Sequence, residues 1–410
     1  MNVLPRRTAT VVFLAFAFAY FFSAVLRAVT ATLAPTLTQE FSLSAQDLGL
    51  LAGGFFFGFA ATQLPLGTWL DKHGPKKVIL SFVLVAVAGC LAFAVARSFW
   101  TLLAARVLCG AGVSACLMAP LTGFRRWLDG PAQLRANSWM LMTGSLGMVA
   151  STLPVQWLLP LVGWRPVFVL LAIGMAAASL VLVWRVPGWD VGESPTGQPP
   201  TYAQVWRHPY FRRMAPIGFF NYGGMIAVQS LWAGPWLVRV TGWQPVQAAG
   251  GLFAINVCML LTFWTWGMLN PVLSRRGLGP DRLIAWGLPL SLLAMAWILV
   301  AGSAAGAAAW ALFCVTSTFV SLAQPAVGMA FPSALAGRAL SAYNLVIFAG
   351  VFVVQWGIGL LVDGFAALGL DVEASFRAAF AVFLACTCAA YAWFLLGTRD
   401  NAEAPRPASP

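Results

Sequence analysis

The sequence predicts an all-α integral membrane protein of twelve transmembrane helices, and three observations carry that prediction. Hydrophobic residues make up 60% of the 410 positions and charged residues only 9%, against about 25% charged in a soluble domain. The apolar residues gather into twelve runs, each near the roughly 20 residues that cross a hydrocarbon core. The lysines and arginines between the runs favour alternate segments, as the positive-inside rule requires.

The runs cover 10–33, 46–70, 78–96, 100–121, 136–160 and 165–186, then 214–240, 246–271, 283–301, 307–331, 339–362 and 375–396. Arg6 and Arg7 before the first run mimic the start of a signal peptide. The run is too long for a cleaved apolar region and lacks a convincing small-residue cleavage site, so it reads as the first span. With both termini cytoplasmic, eighteen lysines and arginines fall on the inner side. The outer side holds only Arg97, Arg165, Arg239 and Arg377, and Arg27 and Arg106 remain within the membrane. The expected location is the inner membrane.

Net charge is +12, but the basic residues sit in short clusters between apolar runs. This excludes a nucleic-acid-binding face. The seven cysteines all lie inside apolar runs, with no disulfide or zinc spacing, and read as small hydrophobes. No cluster of His with Asp or Ser points to an enzyme, and no cofactor is expected.

The chain divides into residues 1–186, a linker at 187–213, residues 214–398 and a tail at 399–410. The two large parts echo each other. Gly67, Asp71, Lys72, Gly74, Lys76 and Lys77 join spans 2 and 3. Gly267 to Gly277 joins spans 8 and 9, with Pro271 where the Asp would fall. Arg135 and Arg338 open spans 5 and 11. Six spans, a linker and six more, with matching loops, describe two pseudo-symmetric six-helix bundles.

The loop Gly67-x-x-x-Asp71-Lys72-x-Gly74-x-Lys76 resembles the signature loop of the major facilitator superfamily. Arg106-x-x-x-Gly110-x-Gly112 is similar to that family's span 4 segment. Gly144 and Gly147 stand in span 5, but its proline, Pro154, comes late for the Gly-Pro motif of the antiporters. The resemblance implies a secondary transporter working by alternating access, with spans 1, 4, 7 and 10 around a central cavity. It also implies a gating role for Gly67, Asp71, Lys72, Gly74 and Lys76. Asp71 would face the positive N-terminus of span 11, and the lysines would meet acidic groups or lipid phosphates.

Ionisable groups inside a bilayer are costly and mark candidate sites. Arg27 and Arg106 each lie about six residues from the outer end of a run, roughly 9–10 Å deep. Together they predict one water-filled space with two guanidiniums, suited to a carboxylate, phosphate or inorganic anion. The competing readings are snorkelling for Arg27 and helix packing for Arg106. All twelve acidic residues fall in loops or near span ends, and His73 and His208 lie in loops. Proton coupling therefore has only edge candidates, Asp47 and Asp363.

Span 7 carries Asn221 and Tyr222 followed by two glycines, then Gln229, Trp232 and Gly234-Pro235. This pattern allows bending and an amide-plus-aromatic wall. Further candidates are Tyr20 and Ser23 on span 1, Asn256 on span 8, Gln324 on span 10, and Asn344 and Gln355 on span 11. Interhelical hydrogen bonding is the alternative for each. Trp100, Trp164 and Trp236 read as interfacial belt residues, and Gly54-x-x-x-Gly58 as a packing face. The expected cargo is a small organic or inorganic anion. An exporter with an apolar aromatic cavity is the first alternative, and a non-transporting receptor is a weaker one. The expected partners are that small molecule and membrane lipid, with the protein itself a monomer.

Overall fold

The computed structural model describes residues 4–188 and 202–397. Residues 189–201 of the expected linker, with Asp190 and Glu193, and the tail from residue 398, with Asp400 and Glu403, lie outside the described residues.

Twelve membrane-crossing elements follow in order. α1 is Arg6–Phe41. α2 is Ala45–Leu70, α3 Lys72–Ala94 and α4 Phe99–Trp127. α5 combines Arg135–Ala150 with Leu153–Val162, and α6 is Trp164–Arg185. A short linker helix, Tyr202–Arg207, leads to α7 at 209–239. α8 is Pro245–Arg275, α9 Pro280–Ala301, α10 Ala307–Met329, α11 Ser333–Ala367 and α12 Val372–Leu396. Among the described residues, ten of these have the length and hydropathy of a span as single elements. The bent α5 and the interrupted α7 complete the twelve.

The interruptions have local causes. Pro154 cannot donate to the preceding turn, and α5 bends there by 43°. The Ser151 carbonyl at the bend accepts from Thr32 Oγ1 of α1 at 2.8 Å, so the exposed backbone oxygen is satisfied from a neighbouring helix. Pro65 likewise breaks α2 at Thr62. Thr62 Oγ1 donates to Ser114 Oγ at 2.8 Å, where α4 is also broken. Gly74, at φ 75°, kinks the start of α3 in a backbone region open mainly to glycine. α7 contains π-helical turns at Ile217–Tyr222 and Val228–Trp232, around the paired glycines and between Pro216 and Pro235.

The two halves meet along three seams: α1 with α7, α2 with α11, and α5 with α8. The α2–α11 seam runs from the end bearing the basic loops to the opposite, far end. At the far end a side chain on Gly359 would fall on the Ala45 carbonyl, so the glycine is what permits backbone contact. Beside it, Asp363 at the close of α11 accepts from the Ala45 and Gln46 amides at 3.1 and 2.6 Å. The carboxylate thus caps the positive N-terminus of α2 and ties one bundle to the other. Asp47 is spent differently, in a capping box with Ser44.

Two expectations about the span ends are corrected. α1 continues eight residues beyond Leu33, to Phe41. Arg27 therefore lies fourteen residues from its end, about 21 Å along the axis, too far for a snorkelling side chain. Trp236 and Trp164 are buried rather than interfacial. Trp236 donates to the Ala305 carbonyl and sits among Trp310, Phe376 and Phe380. Trp164 donates to Glu40, which also pairs with Arg165 at 2.7 Å. Trp100, 71% exposed, keeps the character of a belt residue.

Candidate substrate site

Arg27 projects from the middle of α1 into the region where the two bundles meet. Its guanidinium carbon lies 5.8 Å from the ring centre of Phe59 on α2 and 6.0 Å from that of Phe348 on α11. The two rings are 4.3 Å apart, so the cation rests over an aromatic pair drawn from both halves. Among the described residues Arg27 has no ion pair, and its Nε is buried without an acceptor.

The same face of α1 bears Tyr20, Ser23 and Thr30, at helical spacing from Arg27. All three are buried. Ser23 Oγ and Thr30 Oγ1 also lack hydrogen-bond partners; the thiol of Cys116 on α4 lies against Ser23 but is a weak partner. From α7, Tyr222 lies within the electrostatic reach of both Tyr20 and Arg27. The amide oxygen of Asn221 beside it is buried and unpaired. Native interiors rarely leave several polar groups unsatisfied, and this region holds several of those found among the described residues.

Arg106 does not share that space, contrary to the expectation of paired guanidiniums. It is fully buried within the first bundle. Its terminal nitrogens donate to the carbonyls of Leu26 and Arg27 at 2.7 and 3.2 Å, and its cation stacks on Phe55 at 4.7 Å. Gly110, one turn on, lets α2 come so close that a side chain there would strike the Phe55 carbonyl. The spacing that reads as a motif therefore fastens α4 to α1 and α2.

The amides are also used in packing. Gln229 donates to Asn256 at 2.9 Å, and Asn256 to the Leu252 carbonyl. Trp232 turns to α11, donating to the Gln355 carbonyl at 3.0 Å, while Gln355 donates to Ser230. The single wall expected from Gln229 and Trp232 is therefore absent: the π turn between them breaks the usual i, i+3 register. Gln324 donates to Asn344 at 2.6 Å, and Asn344 contacts Met118 of the other bundle.

In the signature loop, Gly67 lies close to Ser341 of α11, where an added Cβ would be 3.5 Å from the hydroxyl. Lys76 donates to the Val183 carbonyl at the end of α6 at 2.8 Å, and Lys72 is exposed. The side chain of Asp71 lies outside the described residues. Sequence reasoning missed Phe59, Phe348 and Thr30. The spacing Ser23–Arg27–Thr30 could have revealed the last; nothing in the sequence pairs the two phenylalanines.

Two helical halves that meet around a mid-membrane cation describe a multi-pass membrane protein. The chain belongs to the Major Facilitator Superfamily, whose family model matches residues 16–355. It is 27% identical over 253 residues to a probable sulfoacetate transporter of Cupriavidus necator, a match covering 56% of this chain and 57% of that one. It is 28% identical over 156 residues to a chloramphenicol resistance protein of Pseudomonas aeruginosa, covering 37% and 36%. It is 32% identical over 168 residues to a gallate transporter of Pseudomonas putida, covering 39% and 36%. The matches thus span between about a third and three fifths of these relatives. The fold is that of a bacterial homologue of the human lysosomal transporter Spinster, with a TM-score of 0.75, 18% identity, and coverage of 96% of this chain and 98% of that one.

Proposed function

We propose that the protein carries a small organic anion across a bacterial inner membrane by alternating access, with Arg27 as the anion anchor. The observation that carries this reading is the unpaired guanidinium between the bundles, beside hydroxyl groups with no partner of their own. A half-buried charge at mid-membrane without a counter-ion is costly, and an anionic cargo supplies the missing partner through charge-assisted hydrogen bonds. The named cargoes of two relatives, sulfoacetate and gallate, are organic acids. The bias of the basic loops supports a cytoplasmic side for both termini. Asp363 and the α2 N-terminus then form the outer closure, and the signature loop around Gly67, Asp71, Lys72, Gly74 and Lys76 forms the inner one. Tyr20, Ser23, Asn221 and Tyr222 complete the cargo site. Gln229, Trp232, Asn256, Gln324 and Asn344 shape it from behind.

The test is uptake or exchange of a radiolabelled acid in proteoliposomes, with native protein, Arg27→Lys and Arg27→Ala. The expected result is partial activity for Lys and loss for Ala, in proteins that elute as folded monomers. The aromatic walls and the chloramphenicol resistance relative favour a second reading, export of an uncharged solute. Transport of such a solute at an unchanged rate in Arg27→Ala would establish it instead.

A further inference from the structure

Resting on the anion reading, we infer that the cargo is a singly charged acid with a flat aromatic body. The charge follows from what the structure does with the two arginines. Arg106 is committed to the carbonyls of Leu26 and Arg27 and to the face of Phe55, which leaves Arg27 as the cation of the site. The groups around it are the phenols of Tyr20 and Tyr222, the Ser23 and Thr30 hydroxyls and the Cys116 thiol. These are hydroxyl and thiol groups, and none of them is a carboxylate or a second cation. One guanidinium fork matches one carboxylate. A second negative charge would be buried without a partner, which costs far more than it returns.

The body of the cargo follows from the anchor's neighbours. A carboxylate on Arg27 places the rest of its molecule several ångströms further on. There Phe59 and Phe348 sit, tilted by 48° and within aromatic contact of each other. Aromatic rings favour offset or edge contacts at about 4.5–7 Å, worth roughly 0.5–1.5 kcal/mol beyond simple burial. An aliphatic body of the same size forgoes that term. Phe59 belongs to the first bundle and Phe348 to the second, so a ring lodged against both reports occupancy to the seam that must open.

The experiment measures binding to the purified, detergent-solubilised full chain by calorimetry, using benzoate, cyclohexanecarboxylate, phthalate and benzyl alcohol as probes. Benzoate is expected to bind about 5- to 10-fold more tightly than cyclohexanecarboxylate, and phthalate and benzyl alcohol more weakly still. Phe348→Leu is expected to erase the preference for benzoate over cyclohexanecarboxylate while leaving Arg27-dependent binding. Equal binding of benzoate and cyclohexanecarboxylate, or tighter binding of phthalate, overturns this inference. If that binding is still lost in Arg27→Ala, the broader anion reading survives. Binding of benzyl alcohol alone, or of no acid at all to folded native protein, overturns both. Should Phe348→Leu fail to fold, the four probes on native protein decide by themselves.

Discussion

Arg27 and Arg106 lie at the same level and touch through the backbone, yet the fold treats them oppositely. Arg106 reaches from α4 to the carbonyls of Leu26 and Arg27 and is fully buried. Arg27 extends past that junction, beyond its own bundle, and lies over the rings of Phe59 and Phe348. The first cation has two of its nitrogens held by carbonyls of α1, although its Nε, like that of Arg27, is buried without an acceptor, and it therefore holds helices together. The second has no such carbonyl partners among the described residues, which is why it is the one proposed to meet a ligand.

The largest effect is expected at Arg106. Arg106→Ala removes two charge-assisted hydrogen bonds between helices, costing about 3 kcal/mol, and should appear as a lower melting temperature and poor recovery of monomer. A variant as stable as the native chain would break the comparison from one side. Arg27→Ala should leave the melting temperature of the empty protein nearly unchanged while weakening acid binding about 10- to 100-fold. A collapse in stability comparable to that of Arg106→Ala would show that both arginines are structural.

Asp363 sharpens the contrast among the acids. No carboxylate was found paired with Arg27 among the described residues, whereas Asp363 spans the seam at the far end. Asp363→Asn weakens a charge-to-helix-terminus contact worth about 1 kcal/mol. A cysteine in place of Ala45, buried at that contact, should then label several-fold faster with an impermeant maleimide. Unchanged labelling would remove Asp363 from the closure.

The smallest effect lies outside the membrane, at His208. Its ring packs 4.4 Å from Phe331, its Nδ1 is buried without a partner, and burial lowers its pKa below the usual 6.5. The folded state thus favours neutral imidazole, and the unfolded state binds more protons. This contribution is complete above pH 6.5 and is lost as pH falls below that value. His208→Gln should flatten the acid side of a stability-against-pH curve by a small margin, with no change in the Arg27-dependent response. A change in that response would tie the linker to the cargo site.

Much of this was legible in the residues themselves. The runs of apolar residues, the alternating basic loops and the Gly67-to-Lys76 motif gave the spans and their pairing into halves, because lipid demands length and hydrophobicity that no other setting explains. Arg27 stood out because a cation in such a run is costly. The end of α1 was misjudged because Thr36, Thr38, Gln39 and Glu40 look like a loop, although they continue the helix to the contact of Glu40 with Trp164 and Arg165. Trp236 was misread because an interfacial tryptophan and one packed on Trp310 share the same neighbours in sequence.

The sequence by itself determined that the chain spans a membrane many times and that two arginines lie at depth within it, since both follow from local hydrophobicity and charge. Only the tertiary structure decided which arginine is free. That depends on whether carbonyls from α1 or rings from α2 and α11 come within reach, and such distances are set by packing between helices far apart in the chain.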